Sequence, residues 1–422
     1  MKFALTSYGT RGDVEPFVAV GRELVSRGHQ VSMAVSPDQV AFAESAGLTA
    51  VGYGPDPRRW QSVHREVLHH LTHNFWQVRD LIKRGHEDWE LITQFWQDAE
   101  DTMTSVARDA DLLFTGPLGE ETAVNVAEYY GIPMATMHYF PLRPNGQMIR
   151  ALPPSVGRTL MSASEWVTWP LAKRLDGPQR RRLGLPKATG PASRRPAQNR
   201  SLEIQAYDEA CFPGLAAEWA KFDGRRPFVG ALTIEQATDD DAEVASWISE
   251  GAPPIFFGFG SMPVESAADT LDMITTACAE LGERALVGSG WSDFGHLADV
   301  DHVKVVGAIN YAAAFPACRA VVHHGGVGTT AAGLRAGVPT LVLSTWADQN
   351  FWADQVKRLK VGYARRFSDT TRETLVADLR RILTPEYAAR ARDFAARMTP
   401  AAESVAAAAD VLQDFVRLKA VG

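Results

Sequence analysis

Between His323 and Gly328 the chain packs two histidines and three glycines into six residues, a combination that few folds can accommodate. The apolar run before it, Ala320-Val321-Val322, reads as a buried parallel strand, and the alanine-rich run after it, TTAAGLRAG, reads as a helix. The intervening glycines let the backbone approach a ligand closely, and the first free N–H groups of the helix point at whatever sits there. The ligand such a turn favours is an anion, most often phosphate. A second βα unit follows: Pro339 to Ser344 is a strand, and the cluster Trp346-Ala347-Asp348-Gln349-Asn350 stands just past its end. In a parallel sheet both turns fall on one edge, so the anion cradle and the Asp348-Gln349 pair can hold one ligand together.

The N-terminus has the same plan. Lys2 to Ser7 is a strand, a helix is expected from about Pro16 to Arg27, and Gln30 to Val35 is a second strand. The loop between them, YGTRGDVEP, carries Thr10, Arg11 and Asp13 toward the crevice beyond the strand ends. At 422 residues the chain exceeds one ordinary core and suits two domains of roughly 200 residues each. The expected division is an N-terminal domain over 1–225, a linker over 226–242, a C-terminal domain over 243–400 and a final helix over 401–422. The C-terminal domain opens with the strand Pro254 to Phe259, and Gly260-Ser261 turns at its end as a second candidate phosphate contact; Arg284–Val287 and Val303–Val306 are further strands.

HHGGVGTT followed by WADQ resembles the nucleotide-sugar signature of the family 1 glycosyltransferases of GT-B fold, which include antibiotic, sterol and plant secondary-metabolite transferases. The resemblance implies an α/β architecture of two doubly wound, Rossmann-like domains facing each other across a cleft, with the C-terminal helix crossing back to the first domain. It implies that His324, Gly326, Gly328 and Thr329, with Ser261, hold the donor diphosphate, and that Asp348 and Gln349 hold the sugar hydroxyls. Gly307-Ala308-Ile309-Asn310 falls where the family holds the nucleobase; plant members have a tryptophan at the position of Val306, so backbone and aliphatic contacts from Val306 and Ile309 take over. The opening GTRGDVEPF is similar to that of the antibiotic and sterol branches, which implies that Asp13 is the base removing the acceptor proton; Thr10 and Arg11, in the same loop, are candidate donor contacts, with a solvated surface arginine the alternative for Arg11. The aromatic region corresponding to Phe75, Trp76 and Trp96, with His138, is implied to contact the acceptor. The implied reaction is inverting transfer of a hexose from a dTDP- or UDP-sugar to a hydroxyl of a bulky apolar natural product or lipid. Neither metal nor cofactor is expected beyond the nucleotide sugar as co-substrate. SYGTRGDVEP, LGLPKAT and VKRLKVG resemble the actinobacterial branch that glycosylates lipopeptides and polyketides. In plant and macrolide members an acidic residue eight positions after the turn histidine holds the ribose hydroxyls; here that position is Ala332.

The same residues admit other readings. Asp13 also reads as a helix cap, but Glu15 is available to serve the helix, which leaves Asp13 for chemistry. His323 lies on the opposite face of an extended backbone from His324 and reads as structural. GxGxxA at 326–331, with Asp348 downstream, mimics a dinucleotide fingerprint, so an NAD(P)-dependent oxidoreductase is the alternative enzyme. A catalytically silent protein of the same fold is the non-enzyme alternative. His64, His69, His70 and His73 lack the spacing of a zinc set. The acidic run Asp239-Asp240-Asp241 precedes a helix and reads as a negatively charged helix start. The arginine-rich stretch from Asp176 to Arg200 reads as a mobile loop, although such a stretch also suits an acidic lipid surface. A net charge of −7 argues against nucleic acid. Cys211, Cys278 and Cys318 lack metal spacing and suit buried thiols in a reducing cytoplasm. No uninterrupted apolar run reaches membrane-spanning length, so membrane contact, if any, is peripheral.

Overall fold

The computed structural model describes residues 1–59, 78–149, 151–235, 237–260, 266–290, 300–345 and 347–421. They form two compact units, one of residues 1–232 with 402–422 and one of residues 233–401. The first unit runs β1 (Lys2–Ser7), α1 (Arg11–Ser26), β2 (Gln30–Val35), β3 (Thr49–Gly52), α2 (Val78–Val106), β4 (Leu112–Thr115), α3 (Glu120–Tyr130), β5 (Met134–His138), α4 (Pro154–Arg182) and β6 (Leu202–Gln205). Its strands are parallel, in the order β3-β2-β1-β4-β5-β6. Central strands such as LLFT of β4 are buried at every position, because βα crossovers cover both faces of a parallel sheet.

The second unit runs α5 (Asp241–Ser249), β7 (Ile255–Gly258), α6 (Ala267–Leu281), β8 (Ala285–Gly288), β9 (Val303–Val306), β10 (Ala320–His323), α7 (Val327–Ala336), β11 (Thr340–Ser344), α8 (Ala347–Leu359), β12 (Gly362–Arg366) and α9 (Arg372–Ile382). Its sheet is also parallel, in the order β12-β11-β10-β7-β8-β9. Strand order reverses between β1 and β4 in the first sheet and between β7 and β10 in the second, and ligands of such sheets bind outside the carboxyl ends of the strands at these reversals. The tail holds two helices, Pro385–Ala395 and α10 (Ala401–Val421), separated at Pro400, which cannot continue a helix. Residues 402–422 of that tail belong to the first unit, where Arg27 donates to Asp410 at 2.5 Å and to Gln413 at 2.9 Å.

Two expectations need correction. Helix α1 begins at Arg11, five residues before Pro16, because Thr10 and Asp13 form a reciprocal capping box that nucleates the turn earlier. The arginine-rich stretch is no mobile loop. Its first part is the end of α4, where fully buried Asp176 accepts from Asn125 Nδ2 at 3.0 Å and pairs with Arg195. Arg180 donates to Asn125 Oδ1 at 2.7 Å and pairs with Glu128 at 2.8 Å. Buried charges persist only when paired and hydrogen-bonded, so these arginines are anchors of the helix.

Glu121, in the first turn of α3, lies beside this network. Burial pushes its carboxyl up to about 7, with Asp176 and Glu120 adding to the rise and Arg195 opposing it. A carboxyl raised in this way contributes stability that is fully present below its ordinary value of 4.5 and is lost as pH rises through about 7. Glu121→Gln removes that loss. Thermal melts should therefore match the parent near pH 4.5 and exceed it at pH 8 by about 1–2 kcal/mol, allowing for the partial exposure of the side chain. Equal differences at both pH values would contradict the assignment.

Candidate active site

In the second unit the two strands flanking the order reversal end in glycine turns. After β7 the chain passes Gly258 to Gly260, and Gly260 holds the left-handed φ of +57° that glycine alone adopts freely. After β10 it passes His324 and Gly325, and α7 starts with Gly326 as N-cap. The His324 ring is seated between the two turns: a Cβ on Gly260 would lie 2.7 Å from its Cε1, and one on Gly326 would lie 2.5 Å from its Nε2. Thr330 N–H closes the first helical turn onto the Gly326 carbonyl at 2.9 Å, which leaves the N–H groups of Val327, Gly328 and Thr329 as the orphan donors of the helix start. Gly328 has open space where a Cβ would stand.

Burial pushes the His324 pKa down, while the Gly258 backbone and the Asp348 carboxylate pull the other way. A neutral imidazole beside a helix N-terminus can still donate one N–H to an anion. Its Nδ1 is buried and has no hydrogen-bond partner among the described residues. His323 differs: it is fully buried, accepts the Gly325 N–H on Nδ1 at 2.9 Å, and is pushed to about 3 by burial and by its neighbour His324. It shapes the turn and stays uncharged.

The Asp348-Gln349 pair, read from sequence as one unit, is divided by the structure. Asp348 is exposed in the first turn of α8, whereas Gln349 is buried and its Oε1 accepts the Thr345 N–H at 2.8 Å. Val306 and Ile309 share an apolar cluster with Phe256 and Phe315, so the loop after β9 offers chiefly backbone. That loop is tied down by the acidic run: Asp240 accepts the Gly307 N–H at 3.2 Å and Asp241 the Asn310 N–H at 2.8 Å. The run therefore does more than charge a helix start. Ser261 lies outside the described residues.

In the first unit, Asp13 is the third residue of α1. Its Oδ2 accepts the Thr10 N–H at 2.8 Å and the Thr10 hydroxyl at 3.2 Å, and its backbone carbonyl accepts from Ser7 Oγ and Tyr139 Oη, both at 2.8 Å. The expectation that Glu15 serves the helix in its place is wrong: Glu15 pairs with Arg11 at 3.0 Å. The carboxylate of Asp13 caps its own helix and is held rigidly at the carboxyl end of β1. Arg11 is exposed and lies over the Phe42 ring at 3.9 Å.

Of the residues expected at the acceptor, Phe75 and Trp76 lie outside the described residues, as do the four histidines 64, 69, 70 and 73. Trp96 is half-buried on α2. His138 is fully buried at the end of β5, with Nε2 3.3 Å from Thr136 Oγ1 and 3.7 Å from Glu120. Glu120, His138 and Glu203 offer ligand atoms within 4.8 Å of one another, a set of the kind that holds metal ions. Here Arg143 already bridges both carboxylates, and Arg226 pairs with Glu203 at 2.6 Å. Burial alone would raise the Glu203 carboxyl, but the two guanidiniums hold it at about 2. The cluster supplies its own cations, and no signal in the sequence linked its members, which come from β5, β6, α3 and two loops.

Gly326 has an ordinary backbone conformation, φ −60° and ψ 141°, so alanine fits the backbone there and only the His324 ring obstructs its methyl. Gly326→Ala should displace the ring and weaken binding of a nucleoside diphosphate about tenfold, with little change in melting temperature. Calorimetric titration reads the effect, and unchanged affinity would show that the ring position is immaterial.

Residues 3–145 match the family model described as the glycosyltransferase family 28 N-terminal domain, and residues 291–418 match the erythromycin biosynthesis protein CIII-like C-terminal domain. An uncharacterized glycosyltransferase of Mycobacterium tuberculosis is 54% identical over 419 residues, covering 99% of each chain. A sterol 3-beta-glucosyltransferase of Arabidopsis thaliana is 28% identical over 427 residues, covering 97% of this chain and 67% of that one. Among solved structures, the glycotransferase of kitacinnamycin has a TM-score of 0.71 at 19% identity, with 98% of each chain covered. The glycosyltransferase VinC in complex with dTDP has a TM-score of 0.63 at 19% identity over 100% of both chains.

Proposed function

The chain belongs to the family 1 glycosyltransferases of GT-B fold, and we propose that it moves a sugar from a dTDP- or UDP-sugar to a hydroxyl of a bulky apolar acceptor, inverting the anomeric carbon without a metal. The observation that carries the proposal is the seating of His324 between the Gly260 and Gly326 turns, beside the open N-terminus of α7. In one displacement the acceptor oxygen bonds to the anomeric carbon as the nucleoside diphosphate leaves. Negative charge grows on the departing phosphate oxygens, and donors fixed in advance are worth most where charge develops. The N–H groups of Val327, Gly328 and Thr329, the helix dipole and the neutral His324 supply them. Asp13 takes the acceptor proton as general base. Asp348, exposed beside the same turn, takes the sugar hydroxyls, and Gln349 holds the start of α8 in place through Thr345.

A solved structural neighbour holds dTDP, which supports a thymidine donor, and a relative is a sterol glucosyltransferase, which supports a glucosyl group; the uridine donor rests on the sequence resemblance. Family membership favours sugar transfer over the dinucleotide reading of GxGxxA. With Ala332 where a ribose-holding carboxylate would stand, the 2′-hydroxyl loses one recognition element. That bond is worth roughly 1.5–3 kcal/mol, so dTDP and UDP should bind within about tenfold of each other. Calorimetric titration of both nucleotides in excess chelator tests this. A gap near a thousandfold, or binding that returns only with magnesium or manganese, would overturn the corresponding part of the proposal.

A further inference from the structure

Helix α4 is built the wrong way round for a surface helix. Apart from Trp169, its inward face is largely polar: Arg158 pairs with Glu218 at 2.7 Å, Glu165 with Arg194 at 2.8 Å, and Asp176, Gln179 and Arg180 are buried in the network around Asn125. Its outward face is apolar. Val156, Leu160, Ala163, Val167 and Leu171 recur at three- and four-residue steps and so share one stripe, all of them exposed. Val167 is 78% and Leu171 55% exposed. Trp166, 49% exposed, flanks the stripe with one side of its ring against Gly190 and the Arg194 guanidinium. Of the eleven exposed large apolar side chains among the described residues, five are on this helix, so the exposure is a patch and not scatter.

The same line continues in charge. Arg174 and Arg181 fall on the stripe one and three turns beyond Leu171, and Lys173 is exposed beside them. Both acidic residues of α4, Glu165 and Asp176, are turned inward and consumed by Arg194 and Arg195. A chain with net charge −7 thus presents here an apolar row followed by exposed cations, with no acidic side chain from the helix itself. No described helix is long and apolar enough to cross a membrane, and a stripe of this kind suits lying in the interface of one.

We propose that the outer face of α4 docks on an anionic phospholipid membrane. Val156, Leu160, Val167 and Leu171 enter the boundary between headgroups and acyl chains, Trp166 sits at headgroup level, and Lys173, Arg174 and Arg181 meet the lipid phosphates. The inference stands apart from the donor-site reading, since lipid binding requires no sugar transfer.

The test is sedimentation of the full chain with phosphatidylcholine vesicles, with and without about one-third phosphatidylglycerol. The protein should sediment with the anionic vesicles, be released as salt rises, and ignore the neutral ones. Changing Arg174→Gln with Arg181→Gln should weaken binding about thirtyfold, and Val167→Asp with Leu171→Asp should weaken it at least tenfold. Both pairs should keep the parent melting temperature and nucleotide affinity, because every altered side chain is exposed and outside the donor turn. No binding to anionic vesicles, or parental binding by both pairs, would overturn the proposal. So would a dimer in ultracentrifugation that Val167→Asp converts to monomer, which would give the face to a second copy.

Discussion

Replacing Asp13 with asparagine should lower sugar transfer by about 10²–10⁴-fold while leaving folding and nucleotide binding close to the parent. The structure makes this a cleaner substitution than the sequence alone promised. Asp13 Oδ2 accepts two hydrogen bonds from Thr10, and an asparagine Oδ1 can accept the same two, so the capping box survives. The bonds from Ser7 and Tyr139 go to the backbone carbonyl and are untouched. What the amide cannot do is take a proton. Asp13→Ala removes cap and base together and should cost about 1 kcal/mol of stability as well. Initial rates and thermal melts separate the two. Parental rates in Asp13→Asn at neutral pH would show that the carboxylate is only a cap.

His324→Ala should cost about 10²–10³-fold in turnover, the range seen when one fixed donor to a developing oxyanion is removed. The ring is kept neutral by burial and held between Gly260 and Gly326, so it needs no rearrangement to donate. Asp348→Ala, at an exposed position, should leave folding unchanged, and Gln349→Ala should lose about 1 kcal/mol through its bond to Thr345. Full activity in His324→Ala would remove the imidazole from the donor site.

The parts of this fold that sequence made plain are those governed by local rules. β1, β2 and β9 run over the residues that their apolar runs and flanking glycines predict, and the turn at 325–328 could be read because only a strand, a tight turn and a helix accommodate it. Elsewhere distant partners decide, and local rules do not reach them. The arginines at 180 and 195 look solvated until Asn125 and Glu128, more than fifty positions away for Arg180, close around them. Glu15 reads as the cap in place of Asp13, yet the spacing Thr10-x-x-Asp13 is itself a capping-box signal, and Arg11 takes Glu15. The outward apolar face of α4 has the periodicity of a core face, and only the polar partners on its other side show which way it turns.

If Asp13 takes the proton and His324 the diphosphate, one calorimetric experiment separates the two roles: dTDP titrated into Asp13→Asn and His324→Ala beside the parent. Parental affinity in Asp13→Asn with affinity lowered at least tenfold in His324→Ala is the expected result. Parental affinity in His324→Ala, or loss of binding in Asp13→Asn, would contradict it.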